Sequence, residues 1–136
     1  MAFTKRYVSV AGGGDNSGSS EANAMTWAQM ITDINTPRVG YKYLVKSGNY
    51  ANGTTTTTIT ADGTTTSPNV IEGYNTTEGD LASNGRDSNG ELVTTNFPAI
   101  SYTGTSATFN VAGADFLVCK YLNITSAASG TNAFWT

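Results

Sequence analysis

Hydrophobic residues are grouped in short runs along most of the chain, and glycine, asparagine, aspartate and proline separate the runs. The runs are only a few residues long and rich in aromatic and β-branched side chains, a composition typical of short β-strands. The predicted strands are 3–10, Tyr41–Lys46, 54–60, Asn69–Tyr74, 97–102, 108–111, 116–119 and 121–125.

One segment has the periodicity of an amphipathic helix. Apolar residues recur at helical spacing through 21–34, and Ser19 or Ser20 ahead of it offers an N-cap oxygen. Glu21 lies in the first turn, where the helix dipole favours a carboxylate, and Pro37 ends the segment. We predict a helix over 21–34 and no second one. Its predicted inner face consists of Met25, Ala28 and Ile31.

The predicted strands fit a stack of windings better than a set of hairpins, because strands this short make no stable exposed hairpin face. Apolar pairs at 44–45, 70–71, 99–100 and 122–124 recur at intervals of roughly 20 to 30 residues, the range of solenoid repeats. We therefore expect the apolar side chains of successive windings to form one column. The predicted core consists of Val8, Val10, Leu44, Val45, Ile59, Val70, Ile71, Ile100, Phe109, Val111, Leu117, Val118, Leu122 and Ile124.

Three segments carry a resemblance to a known family. Segment 111–125 (VAGADFLVCKYLNIT) has an apolar pair, a short turn and then an apolar–Asn–apolar triplet. Segment 42–50 ends a strand in a glycine turn and an aromatic residue, and in 63–74 a proline precedes the next strand. In these patterns the chain resembles the pectate-lyase-like superfamily. The resemblance implies an all-β fold: a right-handed, single-stranded parallel β-helix of three to four coils, with the predicted helix as an N-terminal cap.

The expected organisation is a single β-helix domain spanning 1–136. It divides into a strand and glycine-rich turn at 1–18, the cap helix at 19–36 and the coils at 40–136. The apolar segment 133–136 has no capping element after it, and an uncovered solenoid end exposes core side chains and strand edges. We therefore expect the chain to be the N-terminal portion of a longer polypeptide.

Composition narrows the function classes. The chain has 23 Thr, 12 Ser, 13 Asn and 15 Gly but only 17 charged residues, with a net charge of −3, so we expect no binding of nucleic acid. It has no histidine, which excludes Ser-His and Cys-His catalysis. Its one cysteine, Cys119, is expected to be a small core residue. No apolar run is long enough to span a membrane, and 1–10 lacks the apolar core of a signal peptide.

Two loop types have a functional and a structural interpretation. Gly12, Gly13 and Gly14 follow a strand and precede a helix, as in dinucleotide-binding turns, but Ser17 stands where that spacing requires glycine. A crossover into the helix is the expected role. Oxygen ligands cluster at 15–18 and 87–91 as in calcium loops, without EF-hand spacing, and ordinary Asx-turns explain both. We expect no cofactor and no metal.

Lyase and glycosidase chemistry were considered separately. The resemblance implies that lyases of the superfamily abstract a sugar proton with Arg or Lys while calcium neutralises the uronate. Glu72, Lys46 and Lys120 lie on strands of different predicted coils and are candidates for such a site, although a solvated exterior position is the expected role. Glycosidases need two carboxylates at a set separation. Any acidic chain contains several carboxylates, so their presence alone does not indicate a glycosidase. Those available are Glu72, Glu78, Asp80, Glu91 and Asp115.

Tyrosines recur once or twice per predicted coil. Their rings are candidates for stacking on a carbohydrate or for contact with a partner protein, whereas packing of loops against the coils would explain them equally. The candidate contact residues are Tyr43, Tyr50, Tyr74, Tyr102 and Tyr121.

Two function classes stay open. The first is a non-enzymatic structural or attachment protein of a virion, such as a phage tailspike, tail fibre or head-surface fibre. Such proteins are similar to this chain in having few charges and a Thr/Gly/Asn-rich β-helix without a signal peptide. This class implies location on the virion surface, a homo-oligomer, contacts with other virion or self subunits, and a host-surface glycan as a further candidate partner. The alternative is the N-terminal section of a polysaccharide lyase or glycoside hydrolase.

Overall fold

A computed structural model describes residues 2–103, 109–111 and 113–126. In this part of the chain the fold is mostly β, with parallel sheets and short helices. Two 3-10 turns lie at Glu21–Asn23 and Thr94–Asn96. The helices are α1 (Trp27–Ile34) and α2 (Leu81–Asn84). The strands are β1 (Thr4–Val8), β2 (Tyr41–Lys46), β3 (Gly48–Gly53), β4 (Thr57–Thr58), β5 (Asn69–Tyr74), β6 (Pro98–Tyr102), β7 (Phe109–Asn110), β8 (Leu117–Lys120) and β9 (Asn123–Ser126).

The strands form three sheets. The first has the order β1-β2-β5-β8, the second β3-β6-β9 and the third β4-β7, and every neighbouring pair is parallel. The chain visits the sheets in a fixed order: β2, β3 and β4, then β5, β6 and β7, then β8 and β9. Each such visit is called a pass below. Consecutive passes therefore lie side by side, and backbone hydrogen bonds join them.

Strand positions agree with the sequence patterns at Tyr41–Lys46 and Asn69–Tyr74 and differ elsewhere by a few residues. The exception is the strand predicted at 54–60. The structure instead has the longer strand Gly48–Gly53, which pairs with β6, and only Thr57–Thr58 within the predicted range. The sequence did not predict β3 because the glycines at its two ends are typical of turns. Pairing with β6 keeps the segment extended. Of the predicted 108–111, residue 108 lies outside the described residues.

The interval between equivalent positions also differs from the prediction. In the first sheet Tyr43 pairs with Ile71, and Ile71 pairs with Cys119. Ile100 belongs to the second sheet, where it pairs with Tyr50. The apolar pair at 99–100 thus belongs to the same pass as the pair at 70–71, on its second strand, and does not begin a new pass. The second pass is long because 75–97 is inserted between its first two strands.

The N-terminal strand is shorter than predicted because the chain turns back at once. Met25 N donates to the Tyr7 carbonyl at 2.9 Å, and Ser9 N donates to the Met25 carbonyl at 3.0 Å. Tyr7 N donates to Gly18 O, so residues 18 and 25 occupy the edge of β1 that faces away from β2. Val10, predicted for the core, lies beyond this turn and is 50% exposed.

The predicted helix 21–34 is two elements. Ser20 caps only the 3-10 turn, and α1 begins at Trp27 because Thr26 and Gln29 form a capping box. Because α1 starts later than predicted, a different set of its residues faces the core. The predicted inner face is therefore wrong: Ala28 is exposed and Ile31 is half-buried. Met25 is buried but precedes α1, as part of the segment beside β1. The buried residues of α1 are Trp27, Met30 and Ile34.

One cluster of buried side chains joins α1 to the strands of all three passes. Nine predicted core residues are buried, whereas Phe109, Val111 and Leu117 are partly buried against the cluster. Val118 is 43% exposed because it lies on the outer face of the first sheet, one pass beyond its buried partner Val70. The nine buried residues are Val8, Leu44, Val45, Ile59, Val70, Ile71, Ile100, Leu122 and Ile124.

Close contact between passes requires a glycine inside β5. A Cβ atom on Gly73 would collide with the Tyr121 carbonyl oxygen and lie 2.8 Å from the Pro98 ring. Both neighbours are held by the backbone, so neither can move away alone. Gly53 differs, since a Cβ there would meet nothing within 4 Å, although its φ of 59° disfavours other residues.

We expect Gly73→Ala to lower the free energy of unfolding by about 3 kcal/mol, because a methyl group must displace backbone in two passes. Gly53→Ala should lower it by only about 1 kcal/mol, the cost of its left-handed backbone. Urea unfolding of the two variants measures both values. Equal losses would contradict the close packing of the second and third passes.

Candidate functional site

Four of the five predicted contact tyrosines are buried: Tyr43, Tyr50, Tyr74 and Tyr102. Two of the hydroxyl groups have short internal hydrogen bonds: the Tyr43 hydroxyl donates to Asp33 Oδ2 at 2.8 Å and the Tyr50 hydroxyl to the Lys46 carbonyl at 2.7 Å. Burial raises the pKa of all four phenols. Their rings are therefore part of the packed interior, and Tyr121 alone among the five is half-exposed.

The first lyase candidate, Glu72, is only 2% exposed, so the expectation that it is solvated is wrong. Its Oε2 atom lies 2.7 Å from Lys42 Nζ and 2.9 Å from Lys120 Nζ. These are residues of three neighbouring strands of the first sheet, on the face away from the core cluster. The carboxylate thus joins three strands through two ion pairs.

Glu78, in the 75–97 insertion, extends this network. It accepts a hydrogen bond from Lys42 Nζ at 2.7 Å and also pairs with Lys5. Lys5 and Lys42 are neighbours in the strand register, and Glu78 compensates the repulsion between them. Burial disfavours the Lys42 ammonium, but its bonds to Glu72 and Glu78 outweigh that cost and raise its pKa. Glu78 therefore attaches the insertion to the outer face of the first sheet through charged contacts.

The third lyase candidate, Lys46, is in a separate pair. Its Nζ atom lies 3.0 Å from Glu21 Oε2, and Glu21 also interacts with the Tyr74 hydroxyl. The Lys46 bond is the main cause of the lowered pKa of Glu21. Glu72 and Lys120 are thus brought together, whereas Lys46 stabilises the contact between the N-terminal segment and β2.

The acidic loops are hydrogen-bonded turns, as expected. Asp15 Oδ1 accepts from Ser17 N at 2.9 Å, and Asp87 Oδ1 accepts from Asn89 N at 2.8 Å and Glu91 N at 2.9 Å. Across the described ranges, no three His, Cys, Asp or Glu side chains are grouped so that they could hold a metal ion. Burial raises the pKa of the Cys119 thiol to about 11, in keeping with a position packed against the core.

Asp80 organises the start of the insertion. Its carboxylate accepts hydrogen bonds from the backbone N–H groups of Asn75, Thr76 and Thr77 at 2.9, 2.7 and 3.1 Å. Partial burial opposes ionisation of Asp80, but the three N–H donors outweigh it and lower the pKa. Asp80 therefore fixes the turn that leads from β5 into α2.

A groove of about 500 Å³ lies between the insertion and the third pass, and Tyr121 is part of its wall. The side chains of Leu81 and Phe97 at its base are buried, and Leu92 is half-buried. Arg86 and Asp87 at its rim are exposed. Since it combines the one half-exposed candidate tyrosine with apolar and charged groups, this groove is the candidate binding site. Its other lining residues are Ala82, Ser83 and Gly85.

Sequence reasoning missed the insertion that forms this groove. The signal available was the long interval between the strands at 69–74 and 97–102, in which Leu81, Leu92 and Val93 are isolated apolar residues among polar ones. Such a pattern has neither helical nor strand periodicity and is therefore typical of a loop. The covering role of the segment depends on Glu78 and Asp80, whose partners are distant or backbone groups.

Comparison with family models, with curated proteins and with solved structures finds no match to this chain. None of the described helices has the length and hydrophobicity needed to cross a membrane.

Replacing Glu72 with glutamine should destabilise the protein by about 3 kcal/mol, because Lys42 and Lys120 lose the buried carboxylate between them. Glu21→Gln is the matched control. It removes the same charge from an exposed pair and should cost less than about 1 kcal/mol. Chemical unfolding measures both changes, and similar losses would contradict a structural role for the buried network.

The carboxylates of Glu21, Glu78 and Asp80 have lowered pKa values, so they bind protons more weakly in the folded chain than in the unfolded chain. Protonation therefore favours unfolding, and stability should be constant above about pH 5 and fall steadily towards pH 2. Urea midpoints measured across this range test the prediction. Asp80→Asn should weaken the acid dependence, whereas stability that rises on acidification would overturn it.

Proposed function

We propose that this chain forms a right-handed parallel β-helix and serves as a non-enzymatic structural or attachment component of a virion. The observation that carries the proposal is the repeated order of the sheets: successive passes add parallel strands to them in the same order, and the described part of the third pass adds one strand to the first sheet and one to the second. In this proposal α1 closes the N-terminal end of the column. Trp27 of α1, which packs 6.0 Å from the Tyr50 ring, supports that placement.

The use of the charged side chains supports a non-enzymatic role. Glu72 is paired with Lys42 and Lys120, and Glu21 is paired with Lys46. These are the groups that lyase chemistry would require on one face of successive strands. Here they neutralise one another and bind neighbouring elements together, which is a stabilising function.

The proposed location is the virion surface, and the proposed partners are further copies of the chain, other virion subunits and a host-surface glycan. A rod whose passes are joined by continuous backbone hydrogen bonds opens rarely, which protects it from proteases outside a cell. The low content of charged residues fits this architecture, because like charges in neighbouring passes would lie about 4.8 Å apart.

One observation favours the alternative, a section of a polysaccharide lyase or glycoside hydrolase. Lys42, Glu72 and Lys120 lie on one face of three neighbouring strands, the arrangement that such chemistry needs. Burial of Glu72 counts against this alternative, because a polysaccharide would have to displace the lysines paired with the carboxylate to reach it.

Two measurements test the proposal. In electron micrographs, antibodies against the chain should label the surface of intact virus particles from a culture that produces the chain. Light scattering of the purified protein should show a homo-oligomer. The same preparation should release neither unsaturated uronates nor reducing ends from polysaccharides. Cleavage that is lost in Glu72→Gln but retained in the Glu21→Gln control would overturn the proposal in favour of the enzyme.

A further inference from the structure

Three Asn-Gly dipeptides lie in the chain, at 52–53, 84–85 and 89–90. Asparagine is a thermolabile residue, and a following glycine favours its deamidation because no Cβ atom shields the glycine nitrogen from the asparagine side chain. The reaction requires a side chain that is free to rotate and a backbone that can bend until the nitrogen reaches Cγ. Since the dipeptide is the same at all three sites, the surrounding fold decides which of them reacts.

The first site is held by a strand. Asn52 lies in β3, and its Nδ2 atom donates to Thr57 Oγ1 at 2.7 Å. Pairing with β6 fixes the backbone on both sides, and the Gly53 carbonyl accepts a hydrogen bond from Thr103 N at 2.8 Å. Attack on Asn52 would therefore break a side-chain hydrogen bond and pull the end of β3 away from the sheet.

The second site is held by a helix. Asn84 is the last residue of α2, and Gly85 N donates to the Leu81 carbonyl at 3.1 Å. The Asn84 carbonyl accepts from Asn96 Nδ2 at 2.9 Å. Gly85 is buried, and a Cβ atom there would lie 2.5 Å from the Leu81 carbonyl oxygen. The nitrogen that must attack Asn84 is thus hydrogen-bonded and has no space in which to move.

The third site lies in an open turn. Asn89 and Gly90 are exposed, and among the described residues the Asn89 side-chain amide has no hydrogen-bond partner. A Cβ atom on Gly90 would meet nothing within 4 Å, so the backbone has space to bend. Gly90 N donates to the Asp87 carbonyl at 3.0 Å, and Arg86 Nη1 donates to the Gly90 carbonyl. Both bonds are at the surface, where water replaces them when the turn opens.

We propose that Asn89 is a site of spontaneous deamidation and that the fold protects Asn52 and Asn84 from the same reaction. Gly90 N attacks Asn89 Cγ, so that an N–C bond forms, the Cγ–Nδ2 bond breaks, and the Gly90 amide proton leaves with the amine as ammonia. Water then adds to one of the two carbonyl carbons of the cyclic imide. Ring opening gives aspartate or isoaspartate at position 89.

The product changes the charge of the turn. The new carboxylate lies between Asp87 and Glu91, both of which are exposed. Asp87 Oδ1 accepts hydrogen bonds from Asn89 N and Glu91 N, and isoaspartate adds a main-chain carbon that shifts these donors. The turn joins Arg86 to Leu92, which line the groove. Deamidation therefore alters one wall of the groove, whatever the chain binds.

The test is incubation of the folded chain in mildly alkaline buffer, followed by trypsin digestion and tandem mass spectrometry against a sample taken at the start. Trypsin places Asn52 and Asn84 in peptide 47–86 and Asn89 in peptide 87–120. Asn89 should convert to the acid about tenfold faster than either other site, because only its turn opens easily. In a parallel incubation in urea the three sites should convert at similar rates, since the protecting contacts are absent.

Two variants give an independent measurement. Wild-type protein should develop an acidic species on ion-exchange chromatography, and Asn89→Gln should abolish it because the longer side chain closes an imide ring far less readily. Asn84→Gln is the matched control and should develop the acidic species like the wild type. The proposal is overturned if the folded chain converts Asn52 or Asn84 as fast as Asn89, if Asn89 stays intact, or if Asn89→Gln still becomes acidic.

Discussion

The parallel register of the first sheet constrains what can lie on its outer face. In a parallel sheet each side chain has the corresponding residue of the next strand as its neighbour, about 4.8 Å away. Lys5 is therefore placed beside Lys42, and Glu72 beside Lys120. The charges are stable there because Glu72 pairs with Lys42 and Lys120, and Glu78 pairs with Lys5 and Lys42. A charge in this sheet thus requires a partner in another strand or in the segment covering it.

That requirement explains the insertion at 75–97. Its Glu78 supplies the second carboxylate of the network, and Asp80 fixes its first turn through three backbone N–H groups. With its start at β5 and its end at β6, the insertion contacts the outer face of the first sheet through Glu78, which pairs with Lys5 and Lys42. The groove is where this covering segment meets the third pass. The ion pairs therefore stabilise the sheet and also position the walls of the candidate site.

The sequence allowed prediction of the features that repeat and not of those that depend on distant partners. Short runs rich in aromatic and β-branched residues identified β2 and β5, and most predicted core residues are buried. The start of α1 was misplaced, since Thr26 caps the helix through Gln29 although Ser20 has equal capping chemistry. Tyrosines were proposed as surface contacts because the residues next to a tyrosine in the sequence do not show whether its ring lies inside or outside the fold. Only the fold separates Tyr43 from Tyr121.

The contrast between those two tyrosines shows how a regular fold can carry an irregular site. Tyr43 lies within β2 and takes its inward direction from the alternation of the strand, with Asp33 binding its hydroxyl. Tyr121 lies between β8 and β9, where the chain turns from the first sheet to the second. No alternation fixes a ring at such a corner, and its direction comes from a left-handed backbone packed against Gly73. Corners and insertions are therefore the places where this architecture can vary its chemistry without disturbing the register that holds the passes together.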